Sequence, residues 1–255
     1  MIRSEERYTQ YPGDNGTRYY KYIPSGGVAP IGVILFLHGK GEIGTNIAQV
    51  EHNELPKALA VEGVRAGLEL PYIVIAPQEE PGQEWWGRAL TAVEIAQSMG
   101  LGKPHFTGLS LGAMAIDNIL HSMGDVFASV APVAGGYEDE LKAGTFELLK
   151  SIPTRHYYGT DDEVIDYGYS STKKIVNALK NAGADATFVE YAGRGHNIWP
   201  EAYADYAQWL EEKFGTGGEP VPVQDDVVEN WVEGTNIFFK SKSGVTLVVA
   251  GTTVI

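Results

Sequence analysis

The stretch "FTGLSLGAMA", Phe106 to Ala115, places Ser110 between Gly108 and Gly112 where an apolar run passes into a helix-forming one. A serine on a sharp strand-to-helix turn can act as a nucleophile toward a carbonyl carbon. The turn needs small residues at positions −2 and +2 so that the neighbouring strand and helix do not clash. Gly108 and Gly112 meet that need, and the N-terminus of the helix beginning "LGAMAIDNIL" favours negative charge nearby. The G-x-S-x-G spacing alone says little in a chain with 31 glycines, and a serine that merely caps a helix is the competing reading. Partner residues therefore decide.

With a nucleophile on such a turn the chain order is serine, acid, histidine. Three histidines follow Ser110. His121 falls on the helix just after the serine and His156 inside a strand, where packing or surface roles suffice. His196, in "YAGRGHNIWPEAY", occupies a glycine-rich loop after the last strand of the main series, from which an imidazole can reach back over the serine as general base. The orienting acid belongs after the preceding strand, where "HYYGTDDEVIDY" offers Asp161, Asp162, Glu163 and Asp166; position leaves Asp161 and Asp162 equal. An oxyanion needs two backbone donors. The N–H of Leu111 is one, and "HGKGEIG", His38 to Gly44, supplies Lys40 N–H between two glycines as the other. The spacing of a phosphate-binding loop is absent there. No H-E-x-x-H occurs, and Glu42 with the acids at 161–163 makes no convincing metal site, so neither metal nor organic cofactor is expected.

The elements that must position these residues follow from hydropathy. Near-continuous apolar runs at 31–39, 71–78, 103–110 and 127–136, with 153–159 and 185–193, predict strands covered on both faces; Arg18 to Pro24 predicts an earlier strand. Helical patterns lie between them, at Glu54–Ala66, Leu90–Gly100, Leu111–Met123, Ser170–Ala182 and Glu201–Phe214. This alternation predicts an α/β domain over residues 1–214: a mostly parallel central sheet with helices on both faces and ligands beyond the C-terminal strand ends. Connections are short, so no large cap is expected. Residues 215–226 read as a linker rich in glycine, proline and acid, and 227–255 as a tail of three short β segments. The tail is too small to fold alone, which predicts docking on the chain's own surface or self-association ahead of attachment to a larger assembly.

The formal charge is −14, from 19 basic and 33 acidic side chains. Such a chain repels phosphate backbones and anionic lipid, so neither nucleic acid nor membrane is an expected partner. With no cysteine, disulfide and thiolate chemistry are excluded. The polar, charged start shows no signal peptide, and a cytoplasmic location is expected, with export by another route or association with a particle left open.

Matched blocks in the right order, "FLHGKGEIG", "IAPQ" then "EWWG", "FTGLSLGAMA", "VAPVAGG", "YYGTDDEVI" and "EYAGRGHNIWPEAY", make the chain resemble the single-domain serine esterases of the α/β-hydrolase superfamily. These are the predicted esterase/peptidase or carboxylesterase/phospholipase-like proteins related to feruloyl and acetylxylan esterases. The resemblance runs from about Tyr19 to Phe214. It implies the α/β-hydrolase fold, a nucleophile at Ser110, a base at His196 and, through the Gly-x-x-Asp-x-x-Val block, an acid at Asp162. Ala113 departs from the usual second glycine after the elbow, and Tyr158 from the histidine that commonly opens the acid block. The implied reaction is ester hydrolysis through an acyl-enzyme, with a small-molecule or carbohydrate ester, aryl (feruloyl-like) or acetyl, as substrate. Trp85, Trp86, Tyr137 and Trp199 fall on loops predicted at the catalytic edge, where ring faces suit aryl or sugar groups; packing is the alternative for each. The rival readings are a peptidase of the same superfamily and a catalytically silent binding module.

Overall fold

The structure is a computed structural model that describes residues 1–9, 16–24, 28–60, 70–82, 85–137, 140–215, 227–233, 236–241 and 246–250. The chain divides into two compact units, Met1–Gly217 and Gly218–Ile255. In the first, eight strands form one sheet: β1 (Ile2–Tyr8), β2 (Thr17–Ile23), β3 (Gly32–Leu37), β4 (Tyr72–Pro77), β5 (His105–Leu109), β6 (Ser129–Val133), β7 (Thr154–Gly159) and β8 (Ala186–Tyr191). Their spatial order is β1-β2-β4-β3-β5-β6-β7-β8. Only β2 runs against the rest, pairing antiparallel with both β1 and β4.

Six helices accompany the sheet: α1 (Pro56–Ala60), α2 (Trp85–Gln97), α3 (Leu111–Met123), α4 (Thr145–Ser151), α5 (Asp166–Asn181) and α6 (Trp199–Phe214). The run "GVILFL" of β3 shows why the central strands lack polar alternation. Val33, Leu35 and Leu37 pack into one apolar cluster with Val93 and Ala96 of α2 and Ile116 of α3, while Ile34 and Phe36 enter another with Tyr203, Tyr206 and Leu210 of α6. Every residue of that strand is buried because both faces are covered. After β3 the chain steps to β4 on one side, and after β4 it crosses to β5 on the other. The crevice between β3 and β5 is therefore a topological switch point, where an open α/β sheet takes its ligand.

The expected strands and helices are present with adjusted ends. Helix α2 begins at Trp85 rather than Leu90 and α5 at Asp166 rather than Ser170. The part of the expected Glu54–Ala66 helix beyond Ala60 lies outside the described residues. Strand β1 is an addition, because a largely exposed edge strand needs no apolar run. Backbone pairing to β2 and cross-strand polar contacts hold it: Arg18 bonds Glu5 at 2.7 Å and Tyr19 Oη donates to Glu6 at 2.6 Å. The short α4 also carried too little apolar periodicity to read. In the second unit, β9 (Val227–Glu233), β10 (Asn236–Ser241) and β11 (Thr246–Ala250) form an antiparallel sheet in the order β11-β10-β9. The expected linker at 216–226 is outside the described residues. No described helix is long and apolar enough to cross a membrane.

Three histidines are held inside the first unit. Burial pushes His38 and His105 down from 6.5 to about 4, and His156 to about 3. Each binds its proton more weakly in the folded than in the unfolded chain. Their stabilisation is therefore complete above about pH 6.5 and is lost as pH falls toward 4, by up to about 1.4 kcal/mol per pH unit for each group. Urea midpoints should drop steadily between pH 6.5 and pH 4.5; a flat profile across that range would contradict the buried neutral imidazoles.

Candidate active site

Ser110 sits between the last residue of β5 and the first of α3 with φ 52° and ψ −119°. A positive φ is rare outside glycine and costs energy unless its surroundings enforce it. Here they do. Ser110 N–H donates to Val133 O of β6 at 2.9 Å, and Leu37↔Gly108 pairing brings β3 alongside. A Cβ at Gly108 would stand 2.8 Å from Leu37 O, and one at Gly112 2.2 Å from Leu37 O and 2.5 Å from His38 O. Both flanking glycines are thus required by backbone approach, and the elbow expected from the sequence is in place.

His196 Nε2 lies 3.0 Å from Ser110 Oγ, and His196 Nδ1 lies 2.8 Å from Asp162 Oδ2. The Asp162 side chain is 0% exposed and that of His196 18%, so the acid is shut from water while part of the imidazole is accessible. Asp162 Oδ1 accepts the amides of Val164 and Ile165 at 2.9 and 3.0 Å, which aim the other oxygen at the histidine. Asp161 is exposed and accepts from Thr160 Oγ1 instead. Geometry therefore pairs Asp162, and not Asp161, with His196. Glu163 is exposed. His121 is exposed on α3, and His156 is fully buried in β7.

The acid loop and the histidine loop are one structure. Asp161 N–H donates to Arg194 O at 2.9 Å and Thr160 N–H to Tyr191 O at 3.1 Å. A Cβ at Gly159 would come within 2.2 Å of Arg194 O and 2.4 Å of Gly195 O, so glycine is needed for the loops to meet. Tyr158, which replaces the family's histidine, is buried and stacks on Phe188 with ring centroids 5.6 Å apart. Ala113 lies against Gly135, whose added Cβ would be 2.8 Å from that methyl.

Of the two oxyanion donors expected, Leu111 opens α3 and Lys40 opens a single 3₁₀ turn, Lys40–Glu42. Amides at first helical positions have no intrahelical acceptor and remain available to a ligand. The segment is beside the serine, because a Cβ at Gly39 would stand 3.4 Å from Ser110 Cβ.

The expected aromatic contacts separate. Trp199 is packed edge-on against His196, with ring centroids 5.1 Å apart. Trp85 and Tyr137 are interior, 1% and 2% exposed. The indole N–H of Trp85 donates to His38 O at 3.0 Å; the phenol of Tyr137 pairs with His156 Nε2 at 3.3 Å, and its amide donates to Thr172 Oγ1 at 3.1 Å. These two rings pack the walls and offer no face to a substrate, because their polar handles are tied to the scaffold. The side chain of Trp86 is outside the described residues. Sequence reasoning missed a polar frame around the oxyanion segment: His38, Gln78 and Glu79, all buried. The available signal was a histidine directly after one buried strand and "QEE" directly after the next. Among the described residues no group of three or more His, Cys, Asp or Glu could hold a metal ion.

The same architecture recurs in known proteins. Residues 88–213 match the phospholipase/carboxylesterase family, Abhydrolase_2. Among solved structures, a thermostable esterase superimposes with TM-score 0.60 at 21% identity, over 82% of this chain and 62% of its own. A Thermus thermophilus protein, TT1662, gives 0.59 at 17% identity over 83% and 98%, and a thermophilic esterase of Thermogutta terrifontis 0.61 at 13% over 85% and 94%. The chain spans about three-fifths of that first esterase's length. No curated protein sequence matched significantly. The structural neighbours establish the α/β-hydrolase fold, with no large cap among the described residues. The family match covers just under half of the chain and stands as a similarity of residues 88–213 to phospholipases and carboxylesterases.

The elbow yields a direct test. Gly112→Ala should destabilise the protein by about 2–3 kcal/mol or more, since the methyl meets fixed backbone oxygens and no flexible side chain. An unchanged urea midpoint would rule out the close approach.

Proposed function

We propose that the protein is a serine carboxylesterase in which Ser110, His196 and Asp162 form the catalytic triad. The observation that carries the reading is the unbroken pair of contacts, 3.0 Å and 2.8 Å, linking serine, imidazole and carboxylate. Ser110 Oγ attacks the ester carbonyl while His196 Nε2 takes its proton. Asp162 accepts the Nδ1–H bond and stabilises the imidazolium. The N–H groups of Lys40 and Leu111 receive the oxyanion. Collapse of the tetrahedral intermediate breaks the bond to the alcohol, which leaves with the proton from His196. Water, deprotonated by the same histidine, then cleaves the acyl-enzyme.

The substrate we propose is a small ester, or an acetyl or aryl ester of a carbohydrate. The resemblance to feruloyl and acetylxylan esterases supports it; Trp199, 6% exposed, packs the imidazole of His196 from behind. The interior positions of Trp85 and Tyr137 remove two of the rings expected to grip an aryl group. On that ground small acyl groups are favoured over feruloyl.

An esterase of Thermogutta terrifontis with this fold has been obtained phosphorylated by paraoxon. Paraoxon should likewise inactivate this protein and add one diethyl phosphate to the peptide carrying Ser110. Ser110→Ala should take no label and lose about 10⁴-fold or more in p-nitrophenyl acetate turnover. Asp162→Asn should lose about 10⁴-fold through the wrong imidazole tautomer. Labelling that persists in Ser110→Ala would refute the assignment. Higher kcat/KM on methyl ferulate than on acetyl esters would overturn the preference for small acyl groups.

A further inference from the structure

The segment Gly39-Lys40-Gly41 poses a physical problem. The peptide joining Gly39 to Lys40 carries its C=O and N–H on opposite sides, as any trans peptide does. Glycine at its head permits either orientation, and the backbone bond to its carbonyl, from Glu42 N–H, is long at 3.4 Å. A flip of this one peptide would withdraw the Lys40 N–H from a developing oxyanion and present the Gly39 carbonyl dipole in its place. A donor would thereby become a repulsive acceptor, so something must fix the peptide.

His38 is built to do so. Its side chain is 0% exposed. Nδ1 lies 2.7 Å from Gly39 O, and Nε2 lies 2.9 Å from the backbone N of Glu79. Both partners have fixed polarity: a carbonyl can only accept and an amide N–H can only donate. The imidazole must therefore carry its proton on Nδ1 and leave Nε2 bare. Burial keeps the ring neutral, as that arrangement requires. The ring is held on a third side by Trp85, whose N–H bonds His38 O at 3.0 Å and whose ring meets the imidazole edge-on at 4.8 Å.

The far anchor is itself braced. Gly44 N–H donates to Glu79 O at 3.0 Å, while Gln78 Nε2 donates to Glu42 O at 2.6 Å and to Glu79 O at 3.0 Å. The turn after β4 thus grips both ends of the loop after β3, and His38 is the strut between them.

We propose that His38 is a positioning residue of the oxyanion hole, its Nδ1–H tautomer clamping the Gly39–Lys40 peptide so that the Lys40 N–H stays turned toward the carbonyl at Ser110. The inference rests on the serine esterase reading above and adds a group that touches no substrate.

The test uses full-length wild type, Ser110→Ala, His38→Leu and His38→Asn, with p-nitrophenyl acetate kinetics and the affinity of an aryl trifluoromethyl ketone, which forms a tetrahedral oxyanion with a serine. His38→Leu should lose about 10²–10³-fold in kcat, as when an oxyanion donor is removed, with KM little changed and ketone affinity falling in step. His38→Asn, whose amide can still donate to Gly39 O, should recover much of the loss. Independently of any variant's folding, imidazole ¹⁵N shifts of the wild type at pH 7 should show His38 protonated at Nδ1 alone. Unchanged kcat in His38→Leu, equal losses in both variants, or the Nε2–H tautomer in the wild type would each overturn the proposal. Activity and labelling that survive in Ser110→Ala would instead fell the esterase reading beneath it.

Discussion

The end of β3 and the first turn of α3 touch backbone to backbone, and the site is arranged around that contact. Leu37 and His38 present their carbonyls where Cβ atoms on Gly108 and Gly112 would lie. Nothing larger than hydrogen fits, so helix and strand close until Ser110 is forced into a positive φ that would otherwise cost about 1–3 kcal/mol. The same approach delivers the Gly39-Lys40-Gly41 segment beside the serine, because that segment is simply the continuation of β3. Ser110 and the Gly39-Lys40-Gly41 segment are therefore set by one packing contact at the switch point of the sheet.

A second pair of loops is built in the same way at β7 and β8. Gly159 lets the backbone at Arg194 and Gly195 come within reach, and hydrogen bonds from Thr160 and Asp161 lock the acid loop to the histidine loop. Exposure rises from the sealed Asp162 to the partly open His196, so the carboxylate acts in a dry setting while the imidazole reaches the cleft. His196 bridges the two halves through Ser110. Displacing either half by about 1 Å would break the near-attack geometry that such a constellation depends on.

The buried aromatics and histidines serve this frame more than they serve a ligand. Trp85 spends its indole N–H on His38 O and its ring on the imidazole, and Tyr137 is tied to α5 through Thr172. These contacts make that side of the site a rigid wall.

The sequence by itself determined the sheet, the glycine-flanked turn at Ser110 and the histidine, His196, that reaches it. Short, near-continuous apolar runs bounded by turn residues read as strands covered on two faces, the G-x-S-x-G spacing reports a clash that glycine alone avoids, and His196 stands in a loop able to return over the serine. Local pattern could not choose between Asp161 and Asp162 without the family resemblance, since adjacent residues of one loop differ only in which way the chain turns them. It also could not reveal β1, whose pairing is backbone and whose side chains face water. The tertiary structure decided what depends on neighbours distant in the chain. Trp85 and Tyr137 turned inward because partners 47 and 19 residues away satisfy their polar groups. His38 gained its tautomer from an amide 41 residues on. A hydrogen bond's polarity belongs to both of its ends, and only the folded chain brings the second end into place.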